Sequence, residues 1–202
     1  MSLNDALTNS TPTLIDSQLG QNKPSRKWRV IAGFSLLLGV NQFLWLTFAT
    51  IIISTKQHFG VSEFLANLLT LMFPIIFVML AIHSGKVLDN VGYKKVVGYA
   101  AILMLIGTII RWLGVNNYWV VLAGQLLIAI TQPYITNAIN LVTTDWFDKS
   151  QLATVTGIIM GGMFLATALG AFAPAPLIEL FGFSQMLLLN VGITAIAVSV
   201  SY

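Results

Sequence analysis

The sequence predicts an all-α integral membrane fold of six transmembrane helices. Three observations predict it. Charged residues make up 8% of the 202, against roughly 25% in an average soluble domain. Hydrophobic residues reach 56% and mean hydropathy is +0.84, so a water-soluble fold of this length would lack polar surface to cover its core. Six apolar runs approach or exceed the roughly 20 residues that cross a bilayer's hydrocarbon core.

The runs span Val30–Ile53, Phe64–His83, Val96–Leu113, Trp119–Val142, Leu152–Ile178 and Phe183–Tyr202. Residues 1–29 precede them and are polar, which predicts a disordered tail. The apolar core of a secretory signal would lie nearer the start, so the first run is expected to act as an uncleaved anchor. The domain division expected is thus a tail over 1–29 and a six-helix unit over 30–202.

Orientation follows from the basic residues. Lys23, Arg26, Lys27 and Arg29 precede the first run. Lys86, Lys94 and Lys95 follow the second, and Lys149 follows the fourth. The other side holds only Lys56 and Arg111. The positive-inside rule then puts the N-terminus in the cytoplasm of a multi-pass protein of the cell membrane. The net charge of +3 is this topology signal and does not imply a nucleic-acid partner.

The sequence has no cysteine, which excludes disulfides, thiolate metal sites and thiol nucleophiles. His58 and His83 stand far apart at the expected helix ends, so no metal centre, catalytic residue or cofactor is expected.

An internal repeat emerges at an interval of 90 positions. Asp89-x-x-Gly92-Tyr93 matches Glu179-x-x-Gly182-Phe183, and Gln42 falls on Gln132. Three helices per repeat is an odd number, so the second repeat must be inverted. Such a three-plus-three arrangement is typical of secondary transporters.

The segment after the second run reads Gly85-Lys86-Val87-Leu88-Asp89-Asn90-Val91-Gly92-Tyr93-Lys94-Lys95. Gly85 would let the helix end with close backbone approach, and Gly92 permits a tight turn. Asp89 offers a carboxylate to an opposing helix N-terminus or an arginine. Lys94 and Lys95 hold the loop inside and reach lipid phosphates. The segment resembles the signature between helices two and three of the major facilitator superfamily. That resemblance implies the N-terminal half of a major facilitator fold, with this loop as a gate latch between the two halves. Asn90 departs from the pattern, where a basic residue is usual, so one charge pair of the latch is expected to be missing.

Further segments narrow the resemblance. Asn41-Gln42-Phe43-Leu44-Trp45 lies in the first run, Gly124-Gln125 and Thr131-Gln132-Pro133 in the fourth, and Trp146-Phe147 in the next loop. Together they are similar to the feline leukaemia virus subgroup C receptor-related family, from about Arg29 to Ile178. The resemblance implies a choline-like cation as cargo, with haem also proposed for the family. It further implies that a tyrosine from a second half completes an aromatic cage.

The residues themselves point to the same place. Asn41 and Trp45 share a helix face, which Phe48 continues. Gln125, Gln132 and Thr136 form a second face. Amides deep in a bilayer should face the protein interior or a water-filled path. A tryptophan face beside amide oxygens suits a quaternary ammonium, which the ring quadrupole attracts. Trp45, Gln132, Asn41 and Gln125 are therefore the candidate substrate contacts. The competing reading is that the amides stitch helices together.

Other features read as structural. Gly157 with Gly161, and Ala166 with Gly170, predict close packing of the fifth helix. Pro133 should kink the fourth helix, and Pro174 and Pro176 should end the fifth. Arg111 is expected to snorkel at the outer end of the third helix. No carboxylate lies deep in any run, so facilitated diffusion, or coupling located in a second half, is expected.

A secondary transporter of a small organic solute, working by alternating access, follows as the main function. It requires the bilayer and either a C-terminal six-helix half or a second copy of the chain. The abrupt end within the sixth run is expected to mark a fragment. The alternatives are a six-helix substrate-capture subunit of an ATP-driven vitamin importer and an inactive fragment. A rhomboid-like protease would need an intramembrane serine–histidine pair, and Gly33-x-Ser35 and Gly182-x-Ser184 have no such histidine.

Overall fold

The computed structural model describes residues 24–201, and these form nine α-helices. They are α1 (Pro24–Leu46), α2 (Ile52–Phe59), α3 (Glu63–Val91), α4 (Tyr93–Leu113), α5 (Tyr118–Thr136), α6 (Ile139–Trp146), α7 (Leu152–Phe172), α8 (Pro174–Phe181) and α9 (Phe183–Ser201). Six spans are long and apolar enough to cross a membrane: α1, α3, α4, α5 with α6, α7 and α9.

The first span differs from the expectation at both ends. Residues 1–23 of the expected tail lie outside the described residues, whereas 24–29 are already helical. Pro24 suits a first helical position, since its missing N–H would have no partner there. A helix can begin in polar sequence because only the part inside hydrocarbon must be apolar. At the other end α1 stops at Leu46, and the chain turns before α2, which ends on left-handed Gly60.

The second span is longer than expected. Ser62 caps α3 by accepting a hydrogen bond from Leu65 N at 3.3 Å, and Glu63 favours the positive helix start. At about 1.5 Å per residue α3 exceeds the hydrocarbon core by more than two turns. Two corrections follow. Gly85 to Val91 are helix, not loop, and a side chain added at Gly85 would meet nothing. His83 lies well inside α3, not at its end, and is hydrogen bonded to the Tyr134 hydroxyl at 2.8 Å.

The repeat is visible in the backbone. Helix α1 ends at Leu46 and α5 at Thr136. Gly92 and Gly182 both hold positive φ, 87° and 84°, and each starts a helix. Only glycine adopts that geometry without strain. Helix α1 packs against α7 and α9, α5 against α3 and α4, and α4 against α9. The interruption of the fourth span falls at Asn137–Ala138, one turn after Pro133. Pro174 opens α8 and so separates it from α7, as the prolines predict.

Small residues bring several helix pairs close. A Cβ on Gly124 would stand 2.6 Å from Gly107 O, which holds α4 and α5 in backbone contact. A Cβ on Gly170 would stand 2.7 Å from Phe43 O. Gly157 and Gly161, expected to pack likewise, face open space. They lie beside an exposed apolar stripe on α7, formed by Ile158, Leu165, Leu169 and Phe172. Helix α3 carries a matching stripe, Leu71, Ile75, Val78 and Ile82.

Candidate functional site

Two groups of buried polar side chains cross between helices near the candidate residues. The first lies where α1 meets α5. Asn41, fully buried, donates from Nδ2 to Thr131 Oγ1 at 3.0 Å, and Met104 Sδ lies 3.5 Å from the same nitrogen. Its Oδ1 is buried and has no partner among the described residues. One residue on, Gln42 accepts a long hydrogen bond from Gln132 Nε2 at 3.5 Å. Gln132 Oε1 and Gln42 Nε2 make no hydrogen bond among the described residues.

Trp45 sits one turn beyond Asn41, in the last turn of α1. It is therefore not mid-helix, as the first run's expected length implied. Its indole N–H donates to Thr70 O of α3 at 3.2 Å, and its ring stacks on Phe73 at 6.2 Å. Thr70 is about two turns into α3, so Trp45 is held at depth within the bundle. Trp45 as a whole is only partly buried.

The second group surrounds Arg111. This guanidinium does not snorkel: it is fully buried, with 0% exposure. Its Nη1 donates to Gln125 Oε1 at 2.7 Å, and its Cζ lies 4.9 Å from the Phe48 ring. Gln125 in turn donates from Nε2 to Leu69 O at 2.9 Å. Arg111 and Gln125 thus tie α4, α5 and α3 together, with Phe48 beyond the end of α1. The close approach at Gly124 brings Gln125 within reach of Arg111. Phe48 is consequently packed in this group and does not continue the Trp45 face.

The structure therefore brings Asn41, Gln42 and Gln132 together, with Trp45 one turn away. It separates Gln125, whose amide is engaged at both ends by protein. Sequence reasoning overlooked Thr131 as the partner of Asn41. The signal was available, since the two are 90 residues apart, the repeat interval.

The segment Gly85–Lys95 lies at the basic end of the bundle. Asp89 is exposed and makes no ion pair among the described residues. Lys94 instead meets Asp145 of α6 at 3.3 Å, and the Tyr93 hydroxyl donates to the same carboxylate oxygen at 2.6 Å. Trp146 Nε1 donates to the Tyr93 hydroxyl at 3.1 Å. Lys95 is exposed.

A family model described as Major Facilitator Superfamily matches residues 31–202. Among curated proteins, the chain is 29% identical over 143 residues to Solute carrier family 49 member A3 of Xenopus tropicalis, covering 66% of this chain and 30% of that protein. It is 26% identical over 159 residues to the choline/ethanolamine transporter FLVCR1 of Mus musculus, covering 78% of this chain and 28% of that protein. It is 31% identical over 157 residues to the Solute carrier family 49 member 4 homolog of Xenopus tropicalis, covering 76% and 34%. The chain spans about a third of the length of these relatives.

Proposed function

Because this chain belongs to the major facilitator superfamily, a family of membrane transporters and not of enzymes, we propose that it forms the first six-helix half of a secondary transporter for a choline-class cation. A second six-helix half completes the cavity, and the two alternate access between the sides of the membrane. The N-terminus is cytoplasmic, the membrane is the cell membrane, and cargo moves down its own gradient.

One observation carries the cargo class. Trp45 is pinned by Thr70 and Phe73 yet is only partly buried, one turn from the uncharged amides Asn41, Gln42 and Gln132. A quaternary ammonium gains from a ring face and asks for no strong hydrogen bond. Relatives named as choline/ethanolamine transporters support the same class. In this reading Trp45 and Gln132 touch the cargo. Asn41 fixes α1 to α5 beside it, and Gln125, away from the cargo, ties α5 to α3 and α4.

The exposed stripes on α3 and α7 are the faces that meet the second half. Gly85, Asp89, Gly92, Lys94 and Lys95 form the latch. Asp89 is the member left for the second half, because Lys94 is already held by Asp145.

The test is uptake of radiolabelled choline into proteoliposomes containing the chain with its completing half. Tetramethylammonium should compete, and 3,3-dimethyl-1-butanol, the neutral isostere of choline, should not. Equal competition by the two would rule out a cation site.

A further inference from the structure

Among the described residues, a cavity of about 340 Å³ lies at the basic end of the bundle, between α1, α4, α6 and Ser201 of α9. It is remote from Trp45 and Gln132, neither of which lines it. Its walls are helical stripes. Helix α1 contributes Arg26, Val30 and Phe34, each one turn deeper than the last. Helix α4 contributes Lys94 and then Val97, and α6 contributes Val142 and then Trp146. Each of α1 and α4 thus presents a cation at the mouth and apolar side chains below.

The cations are arranged around one ring. Arg26 Cζ lies 5.8 Å and Lys94 Nζ 5.7 Å from the Trp146 ring centroid. Trp146 is buried and its indole N–H is held by the Tyr93 hydroxyl, so the ring is a fixed platform. Asp145 neutralises part of the Lys94 charge at 3.3 Å. Arg26 makes no ion pair among the described residues. Among the described residues the mouth therefore keeps an excess positive charge.

We propose that this cavity is a binding site for an anionic phospholipid, with its phosphate between Arg26 and Lys94 and an acyl chain along Val30, Phe34 and Val97. Shape and charge choose this occupant. A phosphate alone would use the mouth and leave the apolar wall bare. A choline headgroup would meet a tryptophan already flanked by two cations. The guanidinium matches a phosphate bidentately, and Lys94 adds a point charge. Anionic lipids are concentrated in the cytoplasmic leaflet, the side on which the positive-inside rule puts this end. The proposal rests on that orientation and not on the identity of the cargo.

The test is native mass spectrometry of the detergent-purified 202-residue chain, offered equal amounts of phosphatidylglycerol and phosphatidylcholine. The chain should retain phosphatidylglycerol in preference. Arg26→Ala with Lys94→Ala should reduce its retention by roughly fivefold per cation lost. The charge-matched pair Lys86→Ala with Lys149→Ala, at exposed positions outside the cavity, should leave retention unchanged. Val97→Trp keeps both cations and fills the apolar wall, so it should also abolish the preference. It decides the matter if the double variant fails to fold. Three results would overturn the proposal: equal retention of the two lipids, an equal loss in the charge-matched pair, or displacement of the lipid by millimolar inorganic phosphate.

Discussion

Asn41 and Thr131 are joined by a buried hydrogen bond of 3.0 Å, and they occupy equivalent positions in the two three-helix repeats, 90 residues apart. Their neighbours Gln42 and Gln132 repeat the relationship. Two equivalent residues can touch only near the axis that exchanges them. The pseudo-two-fold axis of the repeat therefore passes between α1 and α5, where the candidate contacts gather.

Interhelical side-chain bonds in membrane proteins contribute about 0.6 kcal/mol on average, with a maximum near 1.7. A double-mutant cycle of Asn41→Ala and Thr131→Val should give a coupling energy in that range. Thermal unfolding in detergent would measure it, and additive effects would show that the two side chains act independently.

The Arg111–Gln125 pair should be asymmetric. Gln125→Leu leaves a buried guanidinium without its side-chain hydrogen-bond partner, at a cost of about 3 kcal/mol or more. Arg111→Met removes the charge and leaves one amide oxygen unpaired, at about 1–3 kcal/mol. The double variant should be more stable than Gln125→Leu alone. A melting series in which Arg111→Met is the more damaging single change would contradict this arrangement.

Much of this architecture was legible in the sequence, for reasons that differ by residue. Apolar length gave the six spans, because hydrocarbon tolerates little else. The 90-residue interval gave the repeat, because Gly92 and Gly182 share a backbone geometry open to few other residues. Helix ends were misplaced where polar sequence stayed helical outside hydrocarbon, at Pro24–Arg29 and Gly85–Val91. The burial of Arg111 was hidden because its partner Gln125 is 14 residues away and reaches it only through the close approach of Gly107 and Gly124. Sequence types cannot report such a distance.

The glycines separate by environment. Gly124→Ala should destabilise by about 1–3 kcal/mol, because the new methyl meets the Gly107 backbone. Gly157→Ala, facing open space, should not destabilise. Comparable losses at both positions in a thermal-stability assay would count against the described packing.

Gly92→Ala and Gly182→Ala should each cost about 1–2 kcal/mol, since both hold positive φ. Gly85→Ala should gain up to about 1 kcal/mol, because Gly85 is inside a helix with open space beside it. A loss of stability at Gly85 would argue that the helix ends before it.

The most direct test of the central claim is choline uptake by the chain with its completing half, comparing the wild type with Trp45→Ala and Trp45→Phe at matched surface expression. A cation–π contact of about 1–2 kcal/mol predicts an apparent affinity roughly tenfold weaker in Trp45→Ala, with much of it recovered in Trp45→Phe. Wild-type uptake kinetics in Trp45→Ala would remove Trp45 from the site and with it the case for a cation bound on α1.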